Sequence, residues 1–157
     1  MRRFGKPPEP GRKYRLRPGA YAILASGSDM LVTHQMEPWP EFQLPGGGID
    51  PGEQPIPALM REVMEETGWT ITRPRRLGAF RRFNYMPEYD LWAEKLCTIY
   101  LAHPAQRLGP PTEDGHTAVW MSAEFAAENL AVSGDRHFVR QVFGLPSNSI
   151  RTPLRSS

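Results

Sequence analysis

Apolar and polar positions repeat with two different periods along this chain, and each change of period marks an element. Tyr21, Ile23 and Leu24 lie in a run from Gly19 to Ala25 that predicts a strand, with Ser26-Gly27-Ser28-Asp29 as its turn. Met30 to His34 predicts the return strand, and Phe42 to Leu44 a short extended piece stopped by Pro45. From Pro55 to Thr67 the period becomes helical, with Ile56, Leu59, Met60, Val63 and Thr67 on one arc. Pro55 and Pro57 fit its first turn, where backbone N–H groups lack helical partners, and Gly68 closes it. Leu77 to Phe83 and Trp92 to Ala102 predict two more strands, His103 to His116 a loop, and Thr117 to Met121 a short strand. Ser122 predicts the N-cap of a short helix holding Glu124 and Phe125; Asp135 to Phe143 predicts a last amphipathic helix ended by Gly144. Strands around one central helix, with another helix late, imply an α+β class with a mixed sheet.

Composition narrows the field. The 157 residues suit one domain and need no disulfides to fold. A single cysteine, Cys97, excludes a disulfide framework or a cysteine-based zinc cluster. No apolar run is long enough to span a membrane, and no apolar stretch follows the basic N-terminus, so a cytoplasmic location without membrane contact is expected. Formal net charge is +2, but seven basic residues and one acid fall within residues 1–18. A basic, Pro-rich arm is therefore expected over residues 1–13, either solvated or touching RNA phosphates or an acidic partner. One domain should cover 14–146, followed by a flexible tail over 147–157.

Chemistry concentrates in the central helix and the loop before it. At 100° per residue, Glu62, Glu65 and Glu66 share an arc of about 100°, opposite the apolar arc. Like charges at this spacing cost roughly 0.2–0.5 kcal/mol each, and two of the three stand near the C-terminus, where the helix dipole disfavours anions. Such a face is either simply solvated or completed by a divalent cation. An all-carboxylate set suits Mg2+ or Mn2+, and no Cys or His lies close enough in sequence to suggest zinc. Gly46-Gly47-Gly48 would let backbone approach a ligand closely, and Glu53 could pair with Arg61 to tie that loop to the helix.

The segment from Gly47 to Trp69 resembles the Nudix box, G-x(5)-E-x(7)-R-E-U-x-E-E-x-G-U, where U is bulky and apolar. Gly47, Glu53, Arg61, Glu62, Val63, Glu65, Glu66 and Gly68 match, and Trp69 stands where Ile, Leu or Val is usual. The resemblance implies an α/β/α sandwich around a mixed β-sheet. It implies hydrolysis of a pyrophosphate linkage in a nucleoside diphosphate joined to another group. By position, Glu62, Glu65, Glu66 and the carbonyl of Gly46 would ligate Mg2+ or Mn2+. Glu62 would be a candidate general base, and Glu53 and Arg61 would orient the helix. Family members often add an acid from a distant loop. In Pro110 to His116, Glu113 is the first candidate and Asp114 the second; Glu94 is a third. Each could equally be a surface acid.

Phe80, Phe83, Tyr85, Tyr89 and Trp92, interleaved with Arg76, Arg81 and Arg82, offer groups to stack a base and hold phosphates. About half of these aromatics, Phe80 and Trp92 first, should instead be core. Arg81, Arg82, Phe83 and Tyr85 are the candidate substrate contacts. Expected partners are a small nucleotide or an RNA 5′ end, with no DNA, in a monomer or homodimer. A catalytically weak nucleotide sensor or an RNA-binding module is the competing reading, against which the complete box argues.

Overall fold

The computed structural model describes residues 1–147. The sequence expectation for the tail falls, from residue 148 on, outside them. One seven-stranded sheet contains β1 (Arg15–Ser26), β2 (Asp29–Gln35), β3 (Glu41–Gln43), β4 (Gly46–Gly48), β5 (Trp69–Met86), β6 (Leu91–Arg107) and β7 (His116–Ser122). Helix α1 (Pro55–Thr67) precedes β5, whereas α2 (Ala123–Asn129) and α3 (Ser133–Phe143) follow β7. A 3-10 turn, Pro87–Tyr89, joins β5 to β6. The order is β3-β2-β1-β6-β5, with β4 added to β1 and β7 to β2. β1 runs parallel to β6, from Arg15 opposite Ala93 to Leu24 opposite Ala102, and the other pairs are antiparallel.

The two-residue repeat of β1 and β6 divides the core between the two sheet faces. Ala20, Ala22, Leu24, Tyr100 and Ala102 pack with Leu59 and Val63 of α1. Ile23, Cys97, Ile99 and Phe80 pack with Ala126, Phe138 and Val139 of α2 and α3. Helices thus cover both faces, giving the expected α/β/α sandwich. Phe80 is fully buried, and α3 approaches it so closely that a Cβ on Gly134 would lie 2.4 Å from its ring. Truncating such a core aromatic costs about 3–5 kcal/mol.

Three sequence expectations change. First, β5 and β6 are far longer than predicted, and residues 103–107 extend β6 instead of opening a loop. Residues 70–76, to which the sequence reading assigns no element, enter β5 through β-bulges between Thr72 and Arg75 and between Arg76 and Gly78. Second, Ile56 and Met60 of α1 are 38% and 44% exposed, whereas Glu66 is only 4% exposed. The buried stripe of α1 is rotated toward Ala58, Leu59, Val63 and Glu66. Third, the arm over residues 1–13 is not simply solvated but packs on the sheet. Phe4 N–H donates to the Arg81 carbonyl and Arg81 N–H to the Arg2 carbonyl, both at 3.0 Å, while the Phe4 ring meets Phe80 edge-on. Arg12 lies 3.6 Å over the ring of Trp92, which is 36% exposed and not core.

Candidate active site

Helix α1 is anchored at both ends by backbone devices. Pro55 occupies its first turn, and Gly68 (φ +77°) closes it by donating its N–H to the Met64 carbonyl over 2.9 Å. A Cβ on Gly68 would lie 1.9 Å from the carbonyl oxygen of Gly109, so glycine here lets the β6–β7 loop touch the helix end. That loop is pinned there: Leu108 N–H reaches the Gly68 carbonyl at 2.8 Å. Thr112 and Glu113 both donate to the Glu65 carbonyl, at 2.8 and 3.0 Å.

Arg61 organises the loop before α1. It grips Glu53 with two parallel bonds, Nε to Oε2 and Nη2 to Oε1, each 2.9 Å. Its Nη1 reaches Glu62 at 3.0 Å and Glu65 at 3.5 Å. The expected Glu53–Arg61 pair is therefore present, and Arg61 also neutralises part of the acidic face. Hydrogen bonding to Arg61, then to the Asp50 N–H, holds the Glu53 carboxyl below its usual range.

The glycine run forms β4, paired with β1. Gly46 (φ +143°) lies so close to β1 that a Cβ would meet the Ala20 carbonyl at 2.2 Å. Its N–H donates to Glu66 Oε1 over 3.2 Å. A Cβ on Gly47 would lie 2.6 Å from the Glu62 carboxyl carbon, so this strand must be bare for the carboxylates to seat.

The distal loop completes the cluster. Carboxylate oxygens of Glu62, Glu65 and Glu113 lie within 4.8 Å of one another, as do donor atoms of Glu66, Glu113 and His116. Burial raises the pKa of the Glu62 carboxyl, with Arg61 pulling the other way and Glu113 and Glu65 reinforcing the rise. Burial lifts Glu66 well above its ordinary value, against the Gly46 N–H and with help from Glu113, Glu62 and Glu65. Such crowded carboxylates fit a hard divalent cation, which would relieve both burial and repulsion. His116 agrees: its Nδ1 is buried and has no hydrogen-bond partner among the described residues. Sequence distance hid His116 from the reading of possible ligands, since only the pairing of β7 with β2 brings it to the cluster.

Glu113 and His116 also line a cleft of about 600 Å3. Arg82, Tyr85, Gln43 and Lys95 form its walls, and Trp39 and Tyr89 also border it. Of the candidate substrate contacts, Arg82 and Tyr85 are here. Arg81 and Phe83 are not: strand alternation puts them, with Tyr85, on the face opposite Arg82, and of the three only Tyr85, near the end of β5, also borders the cleft. On that opposite face Arg81 pairs with Glu94 at 3.7 Å and Phe83 meets Tyr14 edge-on at 4.9 Å. That pairing occupies Glu94. Lys95 and Asp135, absent from the sequence reading, meet Arg82, Tyr21 and Cys97 around a smaller cavity of about 40 Å3. Burial raises the Asp135 carboxyl to about 7, opposed by Arg82, Lys95 and Arg136. Burial lowers the Lys95 ammonium, with Arg82 adding to the effect. An isolated buried charge gives little sign of itself in sequence, and both residues lie in otherwise apolar repeats.

Comparison with known proteins follows the same lines. A protein of Bacillus subtilis (strain 168) provisionally named 8-oxo-dGTP diphosphatase is 32% identical over 74 residues, 47% of this chain and 50% of that protein. The RNA pyrophosphohydrolase of Bartonella quintana (strain Toulouse) is 29% identical over 119 residues, 64% of this chain and 67% of that one. The chain spans about half the length of the B. subtilis relative. A MutT NUDIX hydrolase from Burkholderia pseudomallei superposes with a TM-score of 0.65 at 20% identity, over 82% of this chain and 98% of that one. The family model for the NUDIX domain matches residues 14–142, the span that carries the box, the sheet and the carboxylate cluster, and the chain belongs to the Nudix hydrolase family.

Proposed function

We propose that this protein is a metal-dependent pyrophosphohydrolase that cleaves a phosphoanhydride bond in a nucleoside 5′-polyphosphate or a nucleoside diphosphate joined to another group. The observation that carries this reading is the convergence of Glu62, Glu65 and Glu66 with Glu113 beside a cleft lined by Arg82 and Lys95. Glu62, Glu65, Glu66 and the Gly46 carbonyl would hold Mg2+ or Mn2+, with His116 as a further donor. A divalent cation bound there would supply charge neutralisation of the phosphoryl oxygens.

The chain's own groups do the rest. Arg82 and Lys95 draw the polyphosphate into the cleft. Tyr85 and Trp39 offer aromatic faces to the nucleoside. Arg61, gripping Glu53, fixes the rotation of α1 and so the positions of three carboxylates. A Glu113 oxygen accepts the proton of the water that attacks phosphorus, with Glu62 as the second candidate. The names of the relatives, which include an 8-oxo-(d)GTP phosphatase of Mycolicibacterium smegmatis, favour nucleotide substrates. A screen of nucleoside triphosphates, oxidised purine triphosphates and nucleotide sugars, with Mg2+ or Mn2+ and then with EDTA, tests the reading. Release of phosphate or pyrophosphate from the triphosphates, or of a nucleoside monophosphate and a sugar phosphate from the nucleotide sugars, is expected and should stop on chelation. Full turnover in excess EDTA, or nucleotide binding with no turnover of any substrate, would overturn it.

A further inference from the structure

The fold adds a nitrogen donor to a set that reads in sequence as oxygen only. Two groups of three donors meet at Glu113. Glu62, Glu65 and Glu113 present carboxylates alone, whereas Glu66 and Glu113 join the imidazole of His116, each group within 4.8 Å. The two groups also differ in burial. Glu66 is 4% exposed and His116 is half-buried, with a buried Nδ1 that has no hydrogen-bond partner among the described residues. An unsatisfied buried ring nitrogen costs about 1–3 kcal/mol, a cost that a ligated ion removes.

Each donor of the mixed group is held from a different side. Glu66 stands on α1 and accepts from the Gly46 N–H at 3.2 Å. The Glu113 N–H is bonded to the Glu65 carbonyl at 3.0 Å. His116 opens β7 opposite Gln35 of β2, and its N–H turns back to the Glu113 carbonyl at 3.4 Å. Gly115, at φ +79°, permits that turn. Helix, loop and strand pairing thus bring three donors to one place. Donors about 2.1 Å from one ion stand at most about 4.2 Å apart, so small side-chain movements would complete the group.

Donor chemistry separates the two groups. Oxygen-only sets suit Mg2+, which keeps several waters and dehydrates reluctantly. Imidazole instead favours first-row transition ions. Two carboxylates match the charge of a divalent ion, and a neutral imidazole adds a donor without adding charge. Glu113 and His116 border the cleft, so an ion held between them would face a bound polyphosphate.

We propose that Glu66, Glu113 and His116 form a second cation site, which takes a first-row divalent transition ion in preference to Mg2+; its part in turnover rests on the function proposed above. Mn2+ is the probe, and as the weakest binder of its series it is a demanding one. Electron spin echo spectra of Mn2+ bound to the whole chain, free of substrate, test the donor set directly. Wild type should show nitrogen coupling to Mn2+. That coupling should change from a 14N to a 15N pattern when the four histidines carry 15N, a result that needs no substitution. His116→Gln should lose it and His34→Gln should keep it. His116→Gln should also weaken Mn2+ binding by at least the roughly tenfold that even an outer-shell change costs, with Mg2+ binding nearly unaffected. Bound Mn2+ without histidine coupling, or coupling that persists in His116→Gln, would overturn the proposal, as would equal losses of Mn2+ and Mg2+ affinity. Turnover with Mn2+ but no coupling would reject this site and retain the function proposed above. Coupling without hydrolysis of any substrate would retain the site and reject that function.

Discussion

The backbone N–H of Glu113 donates to the carbonyl oxygen of Glu65 over 3.0 Å, so an acid from the β6–β7 loop and the acids of α1 share one hydrogen-bonded frame. The last carbonyls of a helix have no helical partner, and here the loop supplies one. Its composition suggests a mobile lid. The bonds from Leu108, Thr112 and Glu113 instead fasten it to the end of α1.

Because those bonds use only backbone atoms, Glu113→Gln should leave Tm unchanged while lowering kcat by roughly 10²-fold or more, the scale of a lost proton acceptor. Asp114→Asn should have the smaller effect. Steady-state kinetics at saturating Mg2+ decide it; unchanged kcat in Glu113→Gln assigns the base to Glu62.

Glu62→Gln and Glu66→Gln should each lower kcat at least ~100-fold. The same Glu66→Gln change should raise Tm in EDTA, since it removes a charge buried among Glu62, Glu65 and Glu113. Wild type should gain Tm on adding Mg2+ by mass action, and the variant should gain less. Calorimetry with and without chelator measures both effects.

Arg61→Ala should lower both Tm and activity, because Glu53, Glu62 and Glu65 all lose the same cation. Arg61→Lys restores charge but cannot reproduce the two parallel bonds to Glu53. It should recover stability better than kcat, which stays down by up to ~100-fold if the carboxylates shift by an ångström. Comparing thermal melts with turnover for the two variants separates the effects.

Asp135 gives a pH signature of folding. Its carboxyl is raised to about 7 in the folded chain, so between its unfolded value and pH 7 the folded state holds the extra proton. Its contribution to stability is complete below the unfolded pKa and falls as pH rises through about 7. Arg82, Lys95 and Arg136 limit the loss without cancelling it. Asp135→Asn should therefore raise Tm at pH 8 more than at pH 5. Denaturant melts across that range would refute this if the difference were flat.

Helix α1 was the most legible element, because its period, its prolines and its closing glycine all agree with one another. The Glu53–Arg61 pair was legible for a different reason: residue type and spacing in the box name it, whereas Glu113 was one of three acids outside the box that the family resemblance offered. Glu66 was half legible. Helical spacing places it beside Glu62 and Glu65, but only the seating of α1 on β1 and β4 turns its carboxyl inward. His116, Lys95 and Asp135 depend on strand register and on the approach of α3, which no local pattern records. The full length of β5 was masked by its bulges and Pro74, and that of β6 by reading His103 onward as loop. The packing of the arm was not legible because its composition is that of solvated chain, while the backbone of Arg2 and Phe4, the Phe4 ring and Arg12 supply the contacts that seat it.

The pairing of Arg2 and Phe4 with Arg81 also bears on how copies of this chain can meet. β5 is the outermost strand on its side of the sheet, with backbone groups that another molecule could use to continue it. The chain's own first residues already fill part of that lane, and Phe4 is held in place by Phe80 and His137. Strand-to-strand association across this part of the edge would first have to lift Phe4 out, so the arm closes to other molecules the backbone groups that Arg81 would otherwise present.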